Sequence, residues 1–202
     1  MPEMRAPERE ALARAAFEAS GAFLRGHFVY TSGRHGADYL EKFRVLEDPR
    51  ATGVLAGQIA AQFRSLNPRL VAGPTTGGIL LAYEVARQLG VKAVYAEPAE
   101  DGRSLRRGFQ IGPGTPVLVV DDVATTGGSL TAVIDCVRAA GGDVVGVGVL
   151  ADRSGGRISL ALPLFACLTL DFPSYPAEAC PLCLKGVPLA AKRGSSKTPA
   201  LT

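Results

Sequence analysis

With 202 residues, 22 basic and 19 acidic side chains, the chain can bury a full core, and its formal net charge of +3 is too slight to mark a nucleic-acid surface. Hydrophobic content of 47% with 20% charged residues suits a soluble α/β protein, and no apolar run approaches the roughly 20 residues of a membrane span. The first residues lack the apolar centre of a signal peptide. Four cysteines without such a leader point to reduced thiols, so a cytoplasmic chain with no membrane or nucleic-acid partner is expected.

From Pro7 to about Ala19, the recurrence of Leu12, Ala15, Ala16 and Ala19 among Glu and Arg predicts an amphipathic helix that stops near Gly21. The stretch from Gly26 to Lys42 is dense in aromatic, hydroxyl and basic residues. It reads either as a short hairpin turning at Ser32-Gly33 or as an aromatic platform for a flat polar ring. Asp48-Pro49 opens a second helix whose Val54, Leu55, Ile59 and Phe63 face a core, and Asn67-Pro68 breaks it.

Leu70 to Ala72 is a short strand that runs into Gly73-Pro74-Thr75-Thr76-Gly77-Gly78 and then a helix through Tyr83, Val85, Ala86 and Leu89. The loop lacks the Gly-Lys-Ser/Thr ending of a nucleoside-triphosphate P-loop, but small residues and two threonines could still wrap a pyrophosphate. Val91 to Ala96 predicts another strand. The segment from Glu97 to Gly114 shows no strong periodicity and reads as a polar loop carrying Arg103, Arg106 and Arg107.

The central stretch is Val117 to Leu130. Four apolar, mostly β-branched residues predict a buried strand, Asp121 and Asp122 stand where it should end, and Val123-Ala124-Thr125-Thr126-Gly127-Gly128-Ser129 leads into a helix. Small residues allow backbone N–H groups to close on phosphate oxygens, hydroxyls add donors, and the helix offers its positive end. The carboxylates can accept hydrogen bonds from a diol or hold a divalent cation through water. Leu130, Val133, Ile134 and Val137 mark that helix's apolar side, Val144 to Leu150 the next strand, and Leu164 to Leu170 the last. Arg153 follows a strand end, where open α/β sheets bind ligands, and suits a carboxylate. Alternating strands and helices argue a doubly wound, mainly parallel sheet with both small-residue loops and Arg153 on one edge. Cys180 and Cys183 form a Cys-x-x-Cys pair without a second pair at zinc-site spacing, leaving metal binding and packed thiols both open.

Val117 to Leu130 resembles the phosphoribosyl-pyrophosphate signature of the type I phosphoribosyltransferases. Together with Phe28…Ser32-Gly33-Arg34-His35…Tyr39, the Gly73–Ile79 loop and Cys180-Pro-Leu-Cys-Leu-Lys-Gly186, it is similar to the orotate phosphoribosyltransferases in particular. The resemblance implies one phosphoribosyltransferase domain over residues 1–190, a small hood from about 20–45 and 170–190, and a disordered tail at 191–202. It implies transfer of the 5-phosphoribosyl group to orotate with Mg²⁺, giving orotidine 5′-monophosphate and pyrophosphate, by a homodimer. Asp121, Asp122 and Arg103 would be catalytic. Asp121 to Ser129, Thr75, Thr76, Gly77 and Arg103 would hold phosphoribosyl pyrophosphate (PRPP), and Thr125, Arg153, Phe28 and Tyr39 would hold orotate. The magnesium ion would be held mainly through PRPP and water. The chain departs from the family at Glu97-Pro98-Ala99-Glu100, where a basic pair is usual, and its loop arginines come later. Rival readings are a purine or other-base phosphoribosyltransferase, which Arg153 argues against, and a PRPP-sensing regulator, for which no helix-turn-helix is visible.

Overall fold

The computed structural model describes residues 5–190, so the tail expected at 191–202 lies outside the described residues. In chain order the elements are α1 (Ala6–Ala19), β1 (Phe23–Val29), β2 (His35–Leu40), α2 (Phe43–Leu46), α3 (Pro49–Phe63), β3 (Leu70–Pro74) and α4 (Gly77–Leu89). There follow β4 (Lys92–Ala99), β5 (Gly102–Leu105), β6 (Pro116–Ala124), α5 (Gly128–Ala139), β7 (Asp143–Asp152), β8 (Leu164–Thr169) and α6 (Pro181–Leu184). Six strands form one sheet in the order β5-β4-β3-β6-β7-β8, parallel except for β5, and β1 pairs with β2 in a separate two-stranded sheet. This is the doubly wound, mainly parallel sheet expected from the alternation of strands and helices.

The alternation of side chains along buried strands builds two cores. Val71, Leu118 and Val120 point to the face covered by α1, α3 and α4, where they meet Phe17, Leu55, Ile59, Phe63 and Leu81. Leu70, Ala72, Val117 and Val119 point the other way, onto Leu130, Val133 and Val137 of α5. Burying both faces explains why these strands read as continuous apolar runs. Helix α3 lies close on β7 because Gly146 and Gly148 leave room for the Phe63 ring and the Ile59 side chain, which occupy the space a Cβ would need.

Four local expectations are corrected. In α3, Leu55, Ile59 and Phe63 are buried as expected, but Val54 is 40% exposed, because its place one residue before Leu55 turns it off the inward stripe. The face of α1 that packs inward carries Ala13 and Phe17, whereas Leu12 is exposed, because the spacing fits two registers and the larger Phe17 wins the core. Residues 97–105 are a β-hairpin, not an irregular loop: β4 runs on to Ala99 and pairs antiparallel with β5, Glu97 opposite Ser104 and Pro98 opposite Arg103. Its polar sequence has no apolar face to signal a strand, and backbone pairing along the sheet edge supplies the order. Finally, β6 does not stop at its carboxylates; Asp121 pairs with Val149 and Ala124 with Asp152, so the acids are held inside a strand.

The hairpin β1–β2 is fastened to the end of the chain. His35 forms an antiparallel bridge with Tyr175, the Arg34 Nε–H donates to the Ser174 hydroxyl at 2.9 Å, and the Ala190 N–H donates to the His27 carbonyl at 2.7 Å. Among the described residues no helix is long and apolar enough to cross a membrane.

Candidate active site

The site is assembled where β3, β6 and β7 end. Asp121 and Asp122 are 5% and 2% exposed, and neighbours specify each. The Asp121 carboxylate accepts the Asp122 N–H at 2.8 Å, and Asp122 accepts the Val123 N–H at 2.6 Å. Lys42, which follows β2, reaches Asp122 with N–O distances of 2.8 and 2.7 Å. That cation, itself about a third exposed, neutralises one of two adjacent buried acids, and deleting it would leave a buried carboxylate without its partner. Burial first, and then the charge of Asp122, push the Asp121 carboxyl up from its ordinary value to about 6.

Beyond Asp122 the chain enters the small-residue loop. Thr125, Thr126, Gly128 and Ser129 are exposed, and Gly127 takes a left-handed conformation (φ 84°) at the N-terminal cap of α5. Gly127 itself supplies no side-chain cap, and the Gly128 N–H makes only a long bond of 3.5 Å to the Thr126 hydroxyl, so the first turn keeps N–H groups that an anion could take. Thr131 N–H returns to the Gly127 carbonyl at 2.9 Å and begins the regular ladder. The second small-residue loop lies directly against the first. Gly77, at the start of α4, is so close that a Cβ there would collide with the Asp122 carboxylate. Thr76 is exposed, Thr75 is half-buried with its N–H on the Ala96 carbonyl at 3.2 Å, and the peptide between them is cis.

Arg153 follows β7, and its N–H donates to the Ala124 carbonyl at 2.8 Å. Its backbone is thereby tied to the residue preceding Thr125. The guanidinium carbon lies 5.2 Å from the centroid of the Tyr30 ring and 5.5 Å from that of Phe172. The Arg153 Nε is buried and has no hydrogen-bond partner among the described residues. The turn that presents Arg153 is held by Asp152, which is 3% exposed. Its carboxylate accepts the Ser154 N–H at 2.7 Å and the Gly156 N–H at 3.1 Å.

The structure thus brings Asp121, Asp122, the 125–129 loop, Gly77 and Arg153 to one sheet edge. Arg103, on β5, reaches the same edge: it donates to the Ala96 carbonyl at 3.0 Å and to the Ser129 hydroxyl at 3.4 Å. Arg107 instead pairs with Glu97 at 2.8 Å, and Arg106 leans on the Ser104 hydroxyl at 3.3 Å. Phe28 and Tyr39 stack on one another, ring centroids 5.2 Å apart; the aromatic rings against Arg153 are Tyr30 and Phe172. Neither of these was singled out from sequence, nor were Lys42 and Asp152. Tyr30 and Lys42 lay inside the aromatic and basic stretch that drew attention, but Phe172 carried no local signal. A concavity of about 670 Å³ lined by Tyr83, Arg87, Val94 and Phe109 includes none of these groups.

Taken together, the edge offers an anion cradle at a helix N-terminus, two buried acceptors beside it, and a stacked cation with an unsatisfied donor one strand away. This combination suits a phosphorylated sugar joined to a flat anion. A family profile described as "Phosphoribosyl transferase domain" matches residues 46–170. The chain is 44% identical over 181 residues to the orotate phosphoribosyltransferase of Caldanaerobacter subterraneus subsp. tengcongensis, covering 90% of this chain and 95% of that one. It is 48% identical over 183 residues to that of Pelotomaculum thermopropionicum, covering 91% and 96%. Among solved structures, orotate phosphoribosyltransferase from Aeropyrum pernix superposes with a TM-score of 0.66 at 31% identity, covering 79% of this chain and 93% of that one.

Proposed function

This chain belongs to the orotate phosphoribosyltransferase family, and from that premise we propose how its residues divide the work of joining orotate to PRPP. The reaction forms a bond from the orotate ring nitrogen to ribose C1 and breaks the bond from C1 to pyrophosphate, giving orotidine 5′-monophosphate. The observation that carries the assignment of roles is the buried, unpartnered Nε of Arg153 lying against Tyr30 and Phe172. An unsatisfied buried donor costs about 1–3 kcal/mol, and a planar carboxylate is the partner that a guanidinium fork fits best. Tyr30 and Phe172 then supply the faces for the pyrimidine ring.

The first-turn N–H groups of α5, with the hydroxyls of Thr125, Thr126 and Ser129, take the 5′-phosphate. Asp121 and Asp122 accept the ribose hydroxyls, and the Thr75–Gly77 loop faces the pyrophosphate. As the bond to pyrophosphate lengthens, positive charge grows on the sugar beside the two carboxylates and negative charge grows on the leaving group. Arg103, close to Ser129, is positioned to meet that negative charge. Orotate attacks as an anion, so most of the catalysis is positioning and electrostatics.

Two carboxylates, one already paired with Lys42, give hard oxygen donors but too few for octahedral coordination. A magnesium ion would therefore rest on Asp121 and Asp122 only in part, through water, with PRPP oxygens completing the shell. When bound, it supplies charge neutralisation to the pyrophosphate. We place the reaction in the cytoplasm and assign it to a homodimer. Exposed Phe43, Val54, Leu80 and Tyr83, on the contacting helices α2, α3 and α4, offer an apolar face for a second copy.

The test is the loss of orotate absorbance on mixing with PRPP and magnesium, beside parallel trials with adenine, hypoxanthine and uracil. Orotate should turn over in clear preference, and preferential turnover of a purine would sink the assignment. Arg153→Ala should raise the orotate KM about 10- to 100-fold with little change in the PRPP KM, and lysine should recover little of it. An equal effect on both substrates would remove the role given to Arg153.

A further inference from the structure

His27, His35, Cys180 and Cys183 come together on the side of the hairpin that meets the C-terminal segment, each offering one ligand atom and all four atoms within 4.8 Å of one another. None of them belongs to the phosphate cradle, the carboxylate pair or the Arg153 turn. The two histidines are 2% and 8% exposed, and both cysteines are free thiols.

Four of the six distances between the donor atoms match the edges of a tetrahedron around one ion. Zinc bonds of about 2.3 Å to sulfur and 2.0–2.1 Å to nitrogen require edges of roughly 3.3 Å between nitrogens and 3.5 Å between nitrogen and sulfur. His27 Nε2 lies 3.1 Å from His35 Nδ1. Cys180 Sγ lies 3.6 Å from His27 Nε2, and Cys183 Sγ lies 3.5 Å from His27 Nε2 and 3.3 Å from His35 Nδ1. The outer partner is also in place. His27 Nδ1 is 2.7 Å from the Val187 carbonyl, which accepts only if Nδ1 carries the hydrogen. In the neutral ring that leaves a lone pair on Nε2, directed at the other three groups, as ligating histidines are commonly oriented.

We propose that these four residues bind one structural zinc ion, a Cys2His2 site that clamps the β1–β2 hairpin to the chain end. The chemistry favours zinc over magnesium because two thiolates and two imidazoles are soft and borderline donors without a carboxylate. With all four positions filled by protein, the ion has no open place for substrate and is structural, not catalytic. The sequence hid the site because its halves lie about 150 residues apart: Cys180 is 153 positions from His27, and Cys183 is 148 from His35. The ion closes that loop on the hairpin that carries Tyr30.

The full-length chain should be produced without a metal-binding tag in zinc-containing medium and its metal content measured after gel filtration and treatment with a mild chelator. One zinc ion per chain is expected. Replacement by cobalt should give the visible bands of a tetrahedral ion together with sulfur-to-cobalt charge transfer. Cys180→Ser with Cys183→Ser removes two of the four ligands and should abolish stoichiometric zinc binding and the charge-transfer band, whereas Cys136→Ser and Asp122→Asn should keep the ion. Retention in Asp122→Asn separates this site from the magnesium chemistry of the active site, so the two can fail independently. If the double serine variant does not fold, the cobalt spectrum of the unaltered protein still decides. Protein that is free of zinc and gives no tetrahedral cobalt bands after reduction would overturn the proposal, as would a Cys180–Cys183 disulfide with no metal bound after its reduction.

Discussion

Burial and the charge of Asp122 raise the Asp121 carboxyl from 3.8 to about 6, so at pH 5 the native protein keeps a proton that the unfolded chain has released. Native proton binding exceeds unfolded binding across that window, and stability falls with pH wherever this holds. The stability contributed by this group is therefore complete below about pH 3.8 and is lost as pH rises through about 6. Denaturant midpoints measured on ligand-free protein from pH 4 to 7 should fall less steeply in Asp121→Asn than in the unaltered chain. Identical slopes would place the proton elsewhere. At this scale the sequence showed the two acids, Arg153 and the loop hydroxyls, because their chemistry is legible in residue type and order. It did not show Lys42, 80 positions from Asp122, or Phe172 against Arg153, because both partnerships exist only after folding. Phe28 and Tyr39 were singled out from the aromatic stretch and Tyr30 was not. A register shift between Arg25 and Phe28 upsets the simple alternation by which a facing side chain is chosen.

Among the elements, the meeting of two loops is the most exacting contact. Gly77 sits where a Cβ would strike the Asp122 carboxylate, so the α4 N-terminus and the end of β6 can approach only with glycine there. Gly77→Ala should force one loop to move, destabilising the fold by about 1–3 kcal/mol and lowering kcat/KM for PRPP more than the affinity for orotate. Thermal unfolding alongside steady-state kinetics would check both parts, and an unaffected kcat/KM for PRPP would mean that the loops need not touch. The glycine itself was visible as part of a small-residue loop. Its reason was not, since the opposing carboxylate lies in another strand. Elements with apolar faces, such as β6 and α5, were readable from periodicity. The β4–β5 hairpin was not, because polar residues such as Glu97, Arg103 and Ser104 are ordered by backbone pairing and carry no hydrophobic pattern.

For the molecule as a whole, the hairpin β1–β2 is a two-stranded sheet, a unit marginal on its own in water, and it is tied down by residues 174–190. Ending the chain before Pro173 should raise amide hydrogen exchange across Phe23–Leu40 while β3, β6 and β7, buried between two cores, stay protected. Unchanged exchange in the hairpin would show that it stands without the C-terminal segment. Sequence alone determined the alternation of strand and helix, the parallel sheet and the run of acids, small residues and hydroxyls to which we assign phosphate binding, because each depends on residues adjacent in the chain: β-branched runs, helical spacing, and acids followed by small residues and hydroxyls. Tertiary structure alone decided which aromatic rings meet Arg153, which lysine holds Asp122, and that two histidines stand beside Cys180 and Cys183. Those are contacts between segments far apart in sequence, made when strand register and packing bring them into reach.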